Sequence, residues 1–265
     1  MRSRGKTYLH VWWNLCEMSF ASQLSTRMAS VGYLAGKLVR FTFFLVFLFA
    51  IFQKIPHLHG YTLPEVVLFF MTFNLVDVLA QFFFRGIYGI KAMVRDGGFD
   101  RILGQPINPL FRVSFETVDL LDLLTLIPIL ALTYWTLAKL PGSLTLSRSF
   151  LYIILVGNGV VIAFAIHVFV AALAVSTQES DNTIWVYRDL MALGRFPVNI
   201  YAETVRVILT YLVPIAVMTS FPAQAALGLL SLKGIVSALA IAALFLGLSR
   251  LAWRAALRRY TSVSS

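Results

Sequence analysis

Long apolar runs separated by short polar stretches are the main pattern of this chain. A helix needs about 20 apolar residues to cross the hydrocarbon core of a bilayer. Six segments reach that length: 35–53, 64–84, 118–139, 149–175, 202–220 and 234–253. In the first, Lys37 and Arg40 precede the strongly apolar part and are expected to extend toward water. The pattern predicts an all-α membrane protein with six transmembrane helices.

A second pattern precedes the first predicted span. Apolar residues recur at spacings of three and four, which is one face of a helix; they are Leu9, Trp13, Cys16, Phe20, Leu24, Met28 and Val31. We expect an amphipathic helix within 1–34 that lies on the membrane surface. A seventh span over 8–33 is the alternative, but it requires burial of Glu17, Gln23 and Arg27. The predicted organisation is one unit: this helix (1–34), six spans (35–253) and a basic tail (254–265).

The charges indicate how such a chain is oriented. Of 265 residues, 59% are hydrophobic and 13% charged, and the net charge is +10. Lysine and arginine concentrate in 1–40, 85–116, 176–206 and 250–265, which hold eighteen, whereas the opposite loops hold Lys54, Lys139, Arg148 and Lys233. Short cytoplasmic loops carry the excess of these residues, so both termini are predicted to be cytoplasmic. This bias accounts for the positive charge without nucleic acid and suits contact with anionic membrane lipid.

Motifs for enzyme chemistry are lacking in the sequence. The segment "GYLAGKL" (32–38) differs from a phosphate-binding loop, since three residues separate its glycines and Leu38 replaces the hydroxyl residue that holds magnesium. The four histidines are scattered, and neither HExxH nor GxSxG occurs. The one cysteine, Cys16, is expected to be a small buried residue. We therefore predict no catalytic residue, no metal site and no ATPase site on this chain.

Several polar residues fall inside or beside the predicted spans, where an ionised side chain costs about 2.5–3.5 kcal/mol. Asn74, Asp77 and Gln81 share one face of the second span, and His167 lies in the middle of the fourth. These four are candidates for a polar pathway or a proton relay, and the structural alternative is bonding between helices. For Asp119 and Asp122, at the start of the third span with Glu116, we expect the structural role. For Asp77 and His167 both interpretations stay open.

The largest polar excursion contains "VRDGGFDRILGQPINPLFRV" (94–113). Gly97 and Gly98 permit a sharp reversal, Asp96 can cap a helix, and "FDRIL" forms a short helix that Gly104 and Pro106 end. Its large apolar residues, Phe99, Ile102 and Leu103, share one side. That side either docks into another protein or folds back on the membrane surface, and the pattern alone leaves both possibilities open.

Four motifs in the same order resemble the permease family of ABC-2 type exporters, in its six-span branch, the ABC-2 family transporter proteins. They are the 94–113 stretch, "LGRFPVNIY" (193–201), "VPIAVMTSFPAQAALG" (213–228) and "WRAALRRYTS" from residue 253. The resemblance implies a coupling helix between the second and third spans, in a groove of a separately encoded ATPase. The coupling residues would be Arg95, Asp96, Gly97, Gly98, Phe99, Asp100, Arg101, Ile102 and Leu103.

What the resemblance implies is a single transmembrane permease domain, the transmembrane subunit of an ATP-driven exporter in the inner (cytoplasmic) membrane. Its partners would be separate ABC ATPase subunits, which hold ATP and magnesium, and a second permease copy or a homologous permease. The loop 221–233 is short, so re-entrant helices of larger relatives are expected to shrink to "PAQAALGLL". The substrate is not determined by the sequence.

Two alternatives have a residue basis of their own. A proton-coupled secondary transporter would use Asp77 and His167 as relay groups, and would transport without a partner ATPase. A membrane-embedded enzyme acting on lipid would use Asp119 and Asp122 as acid and base, but it lacks a recognisable metal site or nucleophile.

Overall fold

The computed structural model describes residues 4–140, 142, 145–177 and 183–261, and this part of the chain is helical throughout with no β-strand. The α-helices are α1 (Arg4–Ser25), α2 (Arg27–Phe52), α3 (Leu63–Phe84), α4 (Ile90–Arg95), α5 (Gly98–Leu103), α6 (Pro109–Ser114), α7 (Leu120–Lys139), α8 (Leu146–Thr177), α9 (Thr183–Met191), α10 (Glu203–Val207), α11 (Phe221–Leu227) and α12 (Leu232–Arg259). A 3-10 turn, Arg85–Gly89, joins α3 to α4. Residue Arg2 and the predicted tail beyond Thr261 lie outside the described residues.

Among the described residues, five helices are long and apolar enough to cross a membrane: α2, α3 with its extension to Arg95, α7, α8 and α12. Four of them agree with the predicted spans to within a few residues at the apolar ends. The exception is α2, which begins at Arg27, eight residues earlier than predicted, because "GYLAGKL" is helical. Only Thr26 separates α2 from α1. At the other terminus α12 continues to Arg259, six residues past the predicted boundary.

Two contacts place both ends of the chain at one end of the bundle. The Asn108 N–H donates to the Tyr8 hydroxyl (3.2 Å), and the Tyr260 hydroxyl donates to Asp100 (3.0 Å). The helix α1 and the end of α12 therefore both reach the connection between α3 and α7, which contains α5. We call this the α5 end, and we call the opposite end, where α3 begins beside Tyr61, the Tyr61 end.

The helix α8 is central, and it runs parallel to α3. Thr72 and Tyr152 hydroxyls are 3.1 Å apart, and the Phe84 and Phe164 rings are 5.0 Å apart, centroid to centroid. On its other side α8 packs along α12, where the Asn158 amide donates to the Ala238 carbonyl (3.1 Å). Close packing and bonds of this type, rather than burial from water, hold helices together in lipid.

The segment 183–200, which comprises α9 and two short 3-10 turns, runs antiparallel along α3. The Trp185 ring lies 6.3 Å from that of Tyr88, the Arg195 guanidinium lies 5.5 Å from the Phe73 ring, and the Asn199 amide donates to the Tyr61 hydroxyl (3.0 Å). As the segment proceeds from 185 to 199, its contacts move from the C-terminal end of α3 to its N-terminal end. The prediction that 176–201 is a cytoplasmic loop is therefore wrong over 185–200. Hydropathy misses this crossing because Arg188, Asp189 and Arg195 lie in it and its α-helix ends at Met191, with Pro197 between the two short turns that follow.

The predicted fifth span, 202–220, is also wrong. Two helical stretches, Glu203–Leu212 and Ala216–Leu227, meet at 84° around Pro214, which lacks an N–H for the helix ladder. The first stretch follows Asn199 at the Tyr61 end. The second ends at Gly228, where an added Cβ would lie 2.6 Å from Arg148 at the start of α8, which is again the Tyr61 end. The bent pair thus enters the bundle and returns, and it is much larger than the predicted "PAQAALGLL". With 183–200 as the fifth passage, the described chain still traverses the bundle six times.

Candidate functional sites: the α5 segment and the polar groups between helices

The short helix predicted after the double glycine is present as α5, and a glycine makes the turn before it. Gly97 has φ of 72°, a left-handed conformation that side chains disfavour, and it is the N-cap of α5. Asp96 does not cap this helix. Its carboxylate instead accepts from the Arg95 guanidinium (3.1 Å), and both side chains are mostly exposed. The predicted capping role of Asp96 is wrong, because the chain reverses after it.

The apolar side of α5 faces this chain rather than a partner. Phe99 is fully buried and Ile102 is 3% exposed. The Phe99 ring packs edge-on against Tyr260 (5.1 Å) and Trp253 (6.2 Å). The interpretation of Phe99 and Ile102 as partner-facing is wrong, because the end of α12 covers Phe99 and Ile102 is buried within this chain. Leu103 is the one large apolar residue of α5 that is exposed, at 37%.

A polar contact reinforces this packing. Burial, followed by the hydrogen bond to Asp100, raises the pKa of Tyr260 to about 12. The hydroxyl therefore stays protonated at physiological pH and donates to Asp100. As a result α5 is fixed to the end of α12 by the two ring contacts of Phe99 and by the hydrogen bond between Tyr260 and Asp100.

The remaining surface of α5 and the turn before it is charged. The side chains of Arg95, Asp96, Arg101 and Leu103 are exposed, and we call these four residues the α5 rim. Behind the rim, Gly86 packs on the connection to α7 so closely that a Cβ there would lie 2.4 Å from the Val113 carbonyl oxygen. The rim is thus carried on a tightly packed connection between α3 and α7.

The N-terminal helix α1 supports the same connection. The Val118 N–H donates to the Ser19 hydroxyl (3.1 Å), and the Gln23 amide donates to the Val118 carbonyl (3.0 Å). Cys16 is buried on this side, and burial raises the pKa of its thiol. The other members of the predicted apolar stripe are exposed: Leu9, Trp13, Phe20 and Leu24 in α1, and Met28 and Val31 at the start of α2. An outward apolar stripe agrees with a helix on a membrane surface.

Two ion pairs connect α2 and α3 to the start of α7. Lys37 pairs with Asp122, and Arg85 pairs with Asp119 (2.6 Å) while also donating to the Tyr33 hydroxyl (2.7 Å). The two carboxylates bond neighbouring helices, as expected for them. The expectation that Lys37 extends toward water is wrong, because its side chain is 14% exposed and Asp122 is fully buried.

The four predicted pathway residues do not form one constellation. Asn74 and Asp77 line a cavity between α2, α3 and α7. The Asn74 amide donates to the Phe70 carbonyl of its own helix (2.7 Å), and the Gln81 amide donates to the Asp77 carboxylate (2.8 Å). Gln81 itself is buried, at 1% exposure.

His167 lies apart from that cavity inside an aromatic cluster. The rings of Tyr187, Phe84 and Tyr88 lie 5.2, 5.8 and 5.8 Å from the imidazole, which stacks on Tyr88. Its Nδ1 is 2.7 Å from the Ala163 carbonyl oxygen, which can only accept, and its Nε2 has no hydrogen-bond partner among the described residues. No hydrogen bond joins His167 to Asp77 in this part of the chain.

The geometry defines a multi-pass helical membrane protein whose polar groups tie helices together, with a small charged rim at one end. Within the described residues no group of histidine, cysteine and carboxylate side chains could hold a metal ion. The sequence matches the family described as ABC-2 family transporter protein over residues 38–264, so the chain belongs to that family. The resemblance seen in the four motifs is confirmed.

The family is a membrane transport component and is not itself catalytic. Its members generally work with ABC ATPase partners. A search of curated proteins finds no match to this chain. The proton-coupled alternative built on Asp77 and His167 receives no support from the family match.

Proposed function

We propose that this protein is the permease subunit of an ATP-driven exporter of the ABC-2 type, and that the α5 rim is its contact with a separate ATPase subunit. One observation carries the proposal. The rim is exposed and charged, whereas the rest of α5 is fixed to α12 through Phe99 and to α3 through α4. A push on the rim would therefore move whole helices and not a loose loop.

The mechanism is mechanical on this chain. ATP and magnesium bind the partner ATPases, whose closure on ATP displaces α5, and α4 and α12 transmit the displacement into the bundle. A conformational change of this kind requires that the partner contact the two states differently. The exposed charges of Arg95, Asp96 and Arg101 can exchange partners at low cost, and Leu103 supplies an apolar anchor. A second copy, or a homologous permease, completes the substrate pathway.

The proposed orientation rests on how lysine and arginine are divided between the α5 end and the Tyr61 end, with 183–200 treated as a crossing. Lys37, Arg40, Arg188 and Arg195 line cavities inside the bundle, and Arg206 lies at the Tyr61 end. Thirteen of the eighteen basic residues then remain for the α5 end, and the Tyr61 end has five. This bias supports the proposal that the α5 end is cytoplasmic. The protein is a multi-pass membrane protein, and the proposed location is the inner (cytoplasmic) membrane.

The test is a triple variant of the rim with a matched control. Arg95→Ala, Asp96→Ala and Arg101→Ala together remove two positive charges and one negative charge from exposed positions. Lys54→Ala, Lys233→Ala and Glu203→Ala remove the same charges from exposed positions at the Tyr61 end. We expect the rim variant to insert normally but to lose co-purification with the ATPase and ATP-dependent transport. Full transport by the rim variant, or equal loss by the control, would refute the assignment.

A further inference from the structure

Two adjoining cavities form one cleft between α2, α3 and the 183–200 segment. Their volumes are about 370 and about 530 Å³, within the range of small-molecule sites. They share Lys37, Arg40, Phe73, Asp77 and Arg195 as walls, so they adjoin. The first reaches α7 through Thr125 and Ile129, and the second reaches α9 through Arg188.

One wall of the cleft is aromatic and opens toward the outside of the bundle. The rings of Phe44 and Phe70 lie 4.2 Å apart, and those of Phe41 and Phe70 lie 5.5 Å apart. At the mouth, Phe43 and Phe47 are 71% and 50% exposed. Because α2 is apolar and only slightly covered by the rest of the chain, this mouth is open to lipid unless a second copy covers it. A molecule with an apolar body could enter sideways from the bilayer.

The polar part of the cleft has a positive balance. Its basic wall residues are Lys37, Arg40, Arg85, Arg188 and Arg195, and its acidic wall residues are Asp77 and Asp189. The ion pairs with Asp122 and Asp119 neutralise Lys37 and Arg85. Three basic side chains then face two acidic ones, and the Asp77 carboxylate already accepts from Gln81.

Arg40, which is exposed, and Arg195, which is partly buried, are the two arginines that both cavities share. Arg195 lies beside Phe73, half-way along α3, where a charged side chain is expensive and commonly marks a functional site. In the described part of the chain neither arginine forms an ion pair with a carboxylate. Arg195 instead covers the faces of Phe44 (5.7 Å) and Phe73 (5.5 Å). Arg40 and Arg188 repel its charge, and Asp77 attracts it.

These observations indicate whether a ligand of this cleft is an anion or a cation. Aromatic walls can attract an organic cation through the faces of the rings. Here the guanidinium of Arg195 already occupies the faces of Phe44 and Phe73. An anion between Arg40 and Arg195 would instead relieve their repulsion with charge-assisted hydrogen bonds, which arginine forms especially well with phosphate and carboxylate.

We propose that this cleft binds an amphipathic anion, with a phosphate or carboxylate head between Arg40 and Arg195 and an apolar body along Phe41, Phe44 and Phe70. The ligand is either a lipid of the bilayer or an anionic amphiphile that the protein transports. Binding at this site does not depend on the partner ATPase.

The binding test uses three probes that share a dodecyl chain and differ in head charge: dodecyl phosphate, dodecylphosphocholine and dodecyltrimethylammonium. The full chain in phosphatidylcholine nanodiscs is titrated, and tryptophan emission is followed because Trp185 lines the cleft. A Trp185→Phe variant identifies the part of the signal that belongs to the cleft. We expect dodecyl phosphate to bind at least tenfold more tightly than dodecyltrimethylammonium. Equal or tighter binding of the cationic probe would overturn the proposal.

A charge-matched pair of variants locates the site. Arg40→Gln with Arg195→Gln should weaken dodecyl phosphate binding at least tenfold, whereas Lys54→Gln with Lys233→Gln should leave it unchanged. Equal weakening in both variants, or in neither, would overturn the proposal. Native mass spectrometry of the purified protein then separates the sources. One retained anionic phospholipid that the arginine variant loses identifies the bilayer, and an unoccupied protein that binds the added probe identifies a transported solute. Failure of this site would leave the rim assignment untouched, because rim variants are read out by ATPase binding.

Discussion

The buried ion pair between Lys37 and Asp122 gives the sharpest stability prediction. The Asp122 side chain is fully buried and that of Lys37 is 14% exposed. Replacing Asp122 by leucine leaves the lysine ammonium without its counter-ion in an apolar environment, and breaking a buried pair in this way costs about 3–5 kcal/mol. Because Lys37 retains slight access to water, we expect the lower end, about 3 kcal/mol.

The double variant separates the charge from the packing. Lys37→Met with Asp122→Leu removes both charges and leaves the Arg85–Asp119 pair in place, and such replacements are often neutral or stabilising. Thermal unfolding in one detergent should therefore show Asp122→Leu and Lys37→Met each lowered by roughly 6 °C or more, and the double variant close to the parent protein. If the double variant were as unstable as either single one, lost packing and not an unpaired charge would be the cause.

Three further experiments test the close packing at Gly159, the hydrogen bond that holds α5 to Tyr260, and the path of the bent helix pair. Gly159→Ala should cost about 1–3 kcal/mol in thermal unfolding, since its Cβ would lie 2.7 Å from the Met218 carbonyl oxygen, whereas Gly157→Ala meets no atom within 4 Å and should be harmless. Tyr260→Phe removes the hydrogen bond to Asp100, worth about 1 kcal/mol; hydrogen exchange should become faster in α5, and unchanged exchange would argue against the anchor. In a Cys16→Ser background, cysteines at Glu203 and Ser231 should react with an impermeant reagent from the same side of sealed vesicles, while reaction from opposite sides would make the bent pair a true crossing.

Hydropathy predicts most of the spans because a helix in a membrane must be apolar along most of its length. A search for about 20 consecutive apolar residues therefore finds α3, α7, α8 and α12. It failed where a crossing is shielded by other helices. The 183–200 segment tolerates Arg188 and Arg195 because α3 and the cleft surround it, and its irregular turns are acceptable only inside the protein.

The site predictions succeeded for local features of the backbone and failed where burial depends on residues distant in sequence. The glycines at 97 and 98 and the breakers after Leu103 predicted α5 correctly, since backbone conformation is local. Which side of α5 is buried depends on where α12 ends, and no pattern within 94–113 contains that information. The cleft cations were missed for a related reason. The sequence predicts that Lys37 extends toward water, because its partner Asp122 lies 85 residues further along the chain.

Transport driven by a partner is the central claim, and reconstitution tests it most directly. The purified chain in sealed vesicles, with a transported amphiphile and ATP, should neither hydrolyse ATP nor accumulate cargo against its gradient. Adding the ATPase subunit should start both, and the rim variant at Arg95, Asp96 and Arg101 should stop both again. Uphill transport by the chain without any ATPase would contradict the account.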